Sequence, residues 1–163
     1  MIPDARETQE DAGLQVATFQ VEETTFGIDT ARVQEVVRVG EITPVHHAPA
    51  FVMGLRNLRG RIVTVVDLRV RLELGSATIG PESRILLVDW HGEPVGLLVD
   101  RVADTIAADP ESIEPAPPNL DGVQGRNLRG ICRDGEELVA LLDTEMILGA
   151  GEGHSASREA RPA

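Results

Sequence analysis

The segment Gly54 to Leu72 reads GLRNLRGRIVTVVDLRVRL, which is the pattern of a turn, a strand and a short helix. The turn is the arginine-rich run from Arg56 to Gly60, because glycine adopts positive φ freely and asparagine tolerates it. The β-branched run from Ile62 to Val66 is typical of a buried strand. Asp67 follows directly and is placed to cap a short helix by accepting hydrogen bonds from its first N–H groups.

Parts of this pattern recur in the second half of the chain. The run from Arg126 to Gly130 repeats Arg56 to Gly60 without a change, 70 positions later. Two looser echoes relate Phe26 to Asp29 with Val95 to Leu98, and Val65 to Leu68 with Leu141 to Thr144. The first two echoes have nearly the same offset, which predicts two similar halves. Chance similarity between strands of ordinary composition is the alternative.

The whole chain is interpreted as about ten short strands with few helical residues, which is typical of barrels. Each half holds about five strands, the size of an SH3-like barrel. We therefore predict an all-β fold of two SH3-like five-stranded barrels, with short helical turns and a short C-terminal helix. The first barrel is expected mainly within residues 15–74 and the second mainly within 84–148, and an exchange of strands between them is left open. Residues 1–14 are expected to be a disordered tail and residues 149–163 a flexible one.

The chain is strongly acidic but carries one arginine-rich island. Its formal net charge is −12 over 163 residues, so it is expected to be repelled by nucleic acid and by anionic lipid. Gly54 to Leu72 nevertheless holds five arginines against one acid, Asp67. Arginine is favoured at protein interfaces, so the island predicts a docking patch. A charged strand edge that prevents aggregation is the alternative.

Cysteine use and the N-terminal residues predict a cytoplasmic protein. The single cysteine, Cys132, cannot form an internal disulfide, which suits a reducing compartment. The first residues are polar and acidic, without the basic and apolar segments of a signal peptide. No apolar run reaches the length of a membrane span, so no direct membrane insertion is expected.

No constellation of residues points to catalysis or to a metal. Ser/His/Asp and Cys/His arrangements are not recognisable, and Cys132 has no evident base beside it. The adjacent His46 and His47 would point to opposite sides of an extended backbone, so they cannot easily share one ion. We predict no enzyme, no metal and no cofactor. Three interpretations stay open: an adaptor with docking surfaces, an enzyme that uses the acidic groups of the second half, and a regulatory module that binds a small ligand.

An ordered set of short motifs extends over nearly the whole of residues 15–148. The motifs are Phe26 to Asp29, Val33 to Val36, Pro49 to Val52, Gly54, Asn57 to Gly60, Asp67 to Arg69, Val95 to Asp100, Ile113 to Pro117 and Leu141 to Asp143. With this set the chain resembles the CheW family, the coupling proteins of bacterial chemotaxis. The resemblance implies two five-stranded β-barrels packed together and no catalysis. It also implies a cytoplasmic adaptor, recruited to membrane-associated receptor arrays, that bridges the cytoplasmic hairpin tip of a chemoreceptor and the regulatory domain of a CheA-type histidine kinase.

The resemblance further implies where the receptor binds. The corresponding positions are Val33, Glu35, Gly54, Asn57, Arg59 and Gly60. In the family, the arginine of the NLRG motif is thought to pair with the glutamate that matches Glu35, and such a pair would fix the shape of a groove. A glycine at position 60 would let a helix approach the backbone, although it could also serve the turn alone.

Two features depart from the family pattern. Thr64 stands where the family usually has proline, which is expected to alter a strand edge without breaking the barrel. The second copy of the pentapeptide is not a usual family feature. It falls near the region expected to face the kinase, so kinase binding is suspected near Asp121 to Gly130. The alternative function is a stand-alone CheW-like regulatory module in a non-flagellar chemosensory pathway, or one that binds a small ligand between its barrels.

Overall fold

The fold is seen in a computed structural model that describes residues 13–76 and 78–149. The expected tails therefore lie outside the described residues, except for residues 13, 14 and 149. The strands are β1 (Leu14–Val21), β2 (Thr24–Asp29), β3 (Val33–Arg38), β4 (Val52–Leu58), β5 (Arg61–Asp67), β6 (Arg84–Trp90), β7 (Glu93–Val99), β8 (Arg101–Ala108), β9 (Asn119–Leu120), β10 (Val123–Gln124), β11 (Leu128–Asp134) and β12 (Glu137–Leu142). The helical elements are α1 (Leu68–Arg71), α2 (Thr144–Leu148) and 3-10 turns at Thr30–Arg32, Pro110–Ser112 and Gly125–Asn127.

Ten of these strands form two five-stranded sheets. Sheet I has the order β11-β12-β2-β1-β8, and sheet II has the order β4-β5-β7-β6-β3. Neighbours are antiparallel except for one parallel pair in each sheet, β12 with β2 and β5 with β7. The prediction of an all-β fold with two five-stranded units, short helical turns and a short C-terminal helix is confirmed.

Each sheet combines strands from both halves of the chain. Sheet I contains β1 and β2 of the first half with β8, β11 and β12 of the second, and sheet II contains the complementary set. When the two sheet orders are aligned from edge to edge, strands at equivalent positions occur in the same order along the two halves of the chain. Thus β1 is equivalent to β6, and β5 is equivalent to β12. The two halves are thus similar and exchange their last three strands. Neither sheet is confined to residues 15–74 or to residues 84–148.

The strand register shows which sequence echoes are structurally equivalent. Gly130 lies opposite Leu141 in sheet I, and Gly54 lies opposite Val65 in sheet II, each directly after a bulge. Gly130 therefore matches Gly54 and not Gly60, so the identical pentapeptides are not a structural repeat. The prediction of two similar halves is confirmed by the other two echoes instead, because Gly27 lies opposite Leu141 in sheet I and Gly96 lies opposite Val65 in sheet II.

Most of the large apolar side chains lie between the two sheets. This inter-sheet core contains Phe19 and Phe26, whose rings stack with centroids 6.0 Å apart, and it takes Ile147 and Leu148 from α2. Because strand residues alternate between two faces, the opposite faces form a smaller aliphatic core inside each barrel. These are centred on Val65 and Ile85 in sheet II and on Val16 and Leu141 in sheet I. Separating the barrels would expose the inter-sheet core, so they form one folding unit.

The central hairpin differs from its sequence prediction in two places. The run from Arg56 to Leu58 belongs to strand β4, so the turn consists of Arg59 and Gly60 alone. Ile62 lies in β5 but is 60% exposed, so the buried part of this strand starts at Val63. Antiparallel pairing with β4 starts the strand at Arg61, before the apolar run. Because side chains alternate between the two faces of a strand, Ile62 points away from the barrel core.

Aspartates cap both short helices. The Asp67 side chain accepts hydrogen bonds from the backbone N–H groups of Arg69 and Val70 at the start of α1. Asp143 accepts one from Met146 at the start of α2. Each carboxylate satisfies helix donors that have no intrahelical partner. The cap predicted at Asp67 is confirmed. For the C-terminal helix the sequence offers Asp143 or Thr144 as the cap, and the structure shows Asp143.

After β7, the sequence pattern predicts a short turn from Asp100 to Val102 and a strand from Ala103 to Ala107. The strand is present, but it is longer than predicted, because β8 begins at Arg101 and continues to Ala108. It pairs with β1, and Phe19 lies opposite Val102. This pairing supplies backbone partners that are distant in the sequence, so no local residue pattern could indicate it.

Cys132 is expected to be unreactive in the folded protein. It lies in β11, is 1% exposed, and burial raises the pKa of its thiol. We expect a disulfide reagent to label it about 100-fold faster in urea than in buffer at neutral pH, because the reactive thiolate is disfavoured by burial.

The folded state also keeps the Cys132 thiol protonated to higher pH than the unfolded state does. The free energy of unfolding should therefore fall as the pH rises past the ordinary thiol value, and fast labelling of folded protein would contradict this account.

Candidate docking site

An ion pair joins the two edge strands of sheet II. Glu35 lies on β3, and Arg59 lies in the turn between β4 and β5; Nη2 of Arg59 donates to Oε1 of Glu35 at 2.5 Å. This hydrogen bond raises the pKa of Arg59, and both side chains remain accessible, at 67% and 38% exposure. The two strands are at opposite edges of the sheet, so their contact requires the sheet to curl into a barrel. The pair expected from the sequence is present; its role as a receptor contact stays a prediction.

The turn that carries Arg59 is a two-residue hairpin connection. Arg59 has a φ of 53° and Gly60 a φ of 86°, the left-handed pair that such a turn requires. The Asn57 side chain accepts a hydrogen bond from the Gly60 N–H at 3.0 Å. A Cβ at Gly60 would meet nothing within 4 Å. Gly60 therefore serves the turn through its φ, and its surroundings also leave the backbone open to a partner.

Two of the six predicted receptor-binding residues lie apart from this turn. Gly54 is buried in β4, where a Cβ would overlap with the carbonyl oxygen of Thr43. Val33 begins β3 and packs, partly buried, against the inter-sheet core. The structure thus places four of the six on or beside one exposed turn, and Val33 and Gly54 in the packing. The four are Glu35, Asn57, Arg59 and Gly60.

The arginine island is not one continuous patch, because Arg69 is used inside the fold. Its guanidinium contacts Glu22 at 2.7 Å and Asp100 at 2.5 Å. The hydrogen bond with Asp100 raises the pKa of Arg69. Glu22 lies in the turn of the β1–β2 hairpin and Asp100 between β7 and β8, so this arginine ties sheet I to the helical turn after β5.

Arg71 is also structural. It donates to the carbonyl oxygens of Met146 and Ile147, each at 2.9 Å, and its guanidinium lies 5.2 Å from the centre of the Phe51 ring. Burial lowers the pKa of Arg71. The arginine thus fastens α2 to α1. The predicted docking patch is reduced to the exposed turn, where Arg61 accompanies Arg59.

An apolar groove opens at the mouth of the inter-sheet core, with a volume of about 520 Å³. Its main apolar lining residues are Val45, Phe51, Leu55, Ile62, Trp90 and Leu148. None of them was among the predicted site residues. The alternation of β5 could have indicated part of this lining, because it places Ile62, Thr64 and Val66 on one face. The other residues come from elements that are distant in the sequence.

The suspected kinase-binding region is only partly at the surface. Val123, Asn127 and Leu128 are buried, whereas Asp121 and Arg126 are exposed. The segment forms the β9–β10 ribbon and a 3-10 turn before it enters β11. The exposed side chains leave room for a contact, and kinase binding here stays a prediction.

The paired histidines do not form part of a metal site in the described chain. The rings of His46 and His47 have centroids 6.4 Å apart and are tilted by 51°. Within residues 13–76 and 78–149, no three His, Cys, Asp or Glu side chains are grouped closely enough to hold an ion. The same residues include no helix that is long and apolar enough to cross a membrane.

Comparison with known proteins places the chain in a family. The family described as CheW-like domain matches residues 15–152. The chain belongs to the CheW-like family. Among curated relatives, "Chemotaxis protein CheW" of Treponema pallidum is 30% identical over 87% of this chain and 86% of its own length. The protein of the same name from Klebsiella aerogenes is 30% identical over 88% of this chain and 86% of its own.

A solved structure agrees with the CheW-like assignment. The crystal structure of the scaffolding protein TtCheW from Thermoanaerobacter tengcongensis has a TM-score of 0.76 and 32% sequence identity. The match covers 83% of this chain and 87% of that one. The chain therefore belongs to a family of chemotaxis proteins that includes a scaffolding protein. It shares the two-barrel fold of that scaffolding protein.

Proposed function

We propose that this CheW-like chain is a non-enzymatic adaptor that couples chemoreceptors to a CheA-type histidine kinase in bacterial chemotaxis. The observation that carries the proposal is the exposed Arg59–Glu35 pair beside an open glycine turn, in a chain of this family. An adaptor needs docking surfaces and no reactive group. Its place of action is the cytoplasm, at receptor arrays on the membrane.

The receptor tip is proposed to dock at the turn between β4 and β5. The pair of Glu35 and Arg59 fixes the shape of the surface, and Asn57 holds the Gly60 backbone where a receptor helix approaches it. Val33 and Gly54 contribute indirectly, by holding β3 and β4 in place. The kinase regulatory domain is proposed to contact exposed residues between Asp121 and Gly130, away from this turn in the sequence.

Calorimetric titration of the purified protein tests the proposal. The two partners are a receptor tip fragment and the regulatory domain of the kinase from the same cell, each titrated alone and then in the presence of the other. We expect micromolar binding to both, without competition, because the proposed sites are separate. A folded sample that binds neither partner would refute the adaptor function.

The apolar groove favours a second candidate, a regulatory module that binds a small ligand between its barrels. The groove has the volume and the apolar lining of a ligand site. Trp90 lines it and is the single tryptophan of the chain, so its fluorescence would report occupancy. A saturable fluorescence change together with a ligand-dependent rise in melting temperature would support this candidate over a pure adaptor.

A further inference from the structure

The apolar groove carries a carboxylate in its wall. Glu93 begins β7 and lies directly opposite Trp90 on β6. Ile62 stands on the other side of Glu93, because Thr64 and Val95, two residues further along, are partners in the parallel pairing of β5 with β7. Val95 packs against the inter-sheet core, so Glu93 and Ile62 lie on that face as well. The carboxylate is thus set between a tryptophan and an isoleucine, and all three residues line the groove.

The lining of the groove does not neutralise this carboxylate. With histidine counted as neutral, Glu93 is the only charged side chain among the described residues that line the groove, and no ion pair between described residues involves it. Arg71 contacts Phe51, but it donates to two carbonyl oxygens of α2 and does not line the groove. Arg61 directly precedes Ile62 on β5, so its side chain lies on the opposite face of the sheet.

The remaining charges near the mouth of the groove have other partners or face elsewhere. Glu145 on α2 lies 3.9 Å from Arg32 and 3.6 Å from His91. The ion pair at the turn between β4 and β5 has no net charge. Asp89 directly precedes Trp90 on β6, so it points to the opposite face. The groove therefore combines apolar walls with one unneutralised negative charge.

The equivalent place in sheet I is closed. Three groove residues have equivalents in the β1–β2 hairpin, which are Val21 for Trp90, Thr24 for Glu93 and Phe26 for Val95. Val21 and Phe26 are fully buried in the inter-sheet core. The ring of Phe26 occupies in sheet I the place that the smaller Val95 leaves open in sheet II. The fold alone therefore does not require a groove here, and the carboxylate and the tryptophan occur only in the open copy.

We propose that the apolar groove binds a small organic cation, an ammonium ion with an apolar body. The inference rests on the second candidate function, ligand binding between the barrels, and names the class of ligand. The aliphatic walls hold the apolar body, and the ammonium group lies at Glu93 beside the ring of Trp90. The carboxylate attracts it by charge and the ring by a cation–π interaction. An anion with the same apolar body is repelled.

Titration of the full chain, followed by Trp90 fluorescence and by melting temperature, tests the proposal. The probe is hexyltrimethylammonium chloride, and 1-hexanol and sodium hexyl sulfate are its neutral and anionic counterparts at equal ionic strength. We expect saturation by the cation at a concentration about fivefold lower than by hexanol, and none by the sulfate. Equal saturation by hexanol or by the sulfate would refute the ligand class but leave a ligand-binding groove. No saturable change with any probe would refute both, and the adaptor function would stand on its own calorimetric test.

Two variants locate the bound cation. Glu93→Gln removes the charge at constant size, so it should weaken the affinity for the cation about fivefold and leave that for hexanol unchanged. Val95→Phe should abolish saturation by every probe, because it adds the ring that Phe26 places in sheet I. Glu136→Gln is the matched control, since Glu136 is exposed between β11 and β12 and makes no ion pair with a described residue. Melting curves show whether each variant is folded. Unchanged cation affinity in folded Glu93→Gln, or an equal loss in the control, would overturn the proposal.

Discussion

Replacing Gly54 with alanine is expected to lower the free energy of unfolding by about 3 kcal/mol. The new Cβ would overlap with the Thr43 carbonyl oxygen and lie 2.8 Å from Cγ2 of Ile42. Thr43 cannot move aside freely, because it exchanges two backbone hydrogen bonds with Leu55, each at 2.8 Å. Urea unfolding followed by the fluorescence of Trp90 would measure the loss.

Two other glycines provide controls for this prediction. At Gly60 an added Cβ meets nothing within 4 Å, and only its φ of 86° is unfavourable, so Gly60→Ala should cost about 1 kcal/mol. Gly130 occupies the matching position in sheet I, where a Cβ would lie 2.7 Å from the carbonyl oxygen of Glu114. Glu114 exchanges hydrogen bonds with Ile131 as Thr43 does with Leu55. A loss at Gly130 as large as that at Gly54 is expected, and equal losses at Gly54 and Gly60 would contradict the packing explanation.

The alanine variant of Gly54 also distinguishes a packing role of this glycine from a direct role in receptor binding. If this glycine acts through the packing of β4, its alanine variant should lose receptor affinity only to the extent that it unfolds. A folded Gly54→Ala protein, measured at low temperature, should then bind the receptor tip normally. A large loss of affinity in the folded variant would instead mean that the receptor approaches Gly54 directly.

Local features of the fold could be predicted because their causes are local. The strand patterns of Arg84 to Trp90 and Glu93 to Val99 predict a hairpin around His91 and Gly92, and these two residues adopt φ values of 51° and 87° between β6 and β7. Asp67 was expected to cap a helix, and it does, since a cap needs only the residues of one turn. In such cases a few neighbouring residues satisfy the backbone by themselves.

Strand partners depend on distant residues, which is why the two identical pentapeptides are not structurally equivalent. Asn57 is exposed and supports a hairpin turn. Asn127 has the same neighbours in the sequence but is buried, and its carbonyl accepts a hydrogen bond from Asp143 at 2.9 Å. The exchange of strands between the halves surrounds each copy with different strands, so identical residues adopt different structures.

The candidate site was predictable only in part for the same reason. Glu35 and Arg59 are 24 positions apart, and their pairing was expected from the family resemblance rather than from any local pattern. The apolar groove combines side chains from several elements. Its residues become neighbours only once both sheets have closed, so the sequence alone did not indicate them.

Reversing the charge of Arg59 is expected to weaken binding of the receptor tip by at least about tenfold. Arg59→Glu would place two carboxylates together where one ion pair now fixes the turn. The fold should be nearly unaffected, because solvent screens exposed ion pairs and they contribute little to stability. Calorimetry with the receptor tip and with the kinase domain measures the effect, and kinase binding should be unchanged. Arg101→Glu is the control, since Arg101 is exposed on β8, outside the docking surface, and makes no ion pair with a described residue.

Exchanging the two charges distinguishes a structural pair from a direct contact. In the double variant Glu35→Arg/Arg59→Glu, the ion pair can form again with opposite polarity. If the pair acts by fixing the shape of the docking surface, the double variant should recover most of the affinity that Arg59→Glu loses, so the effects of the two substitutions would not add. If the Arg59 guanidinium instead contacts a receptor carboxylate, the double variant should bind as weakly as the single one. We expect recovery, because Nη2 of Arg59 already donates a hydrogen bond to Glu35 before any partner arrives.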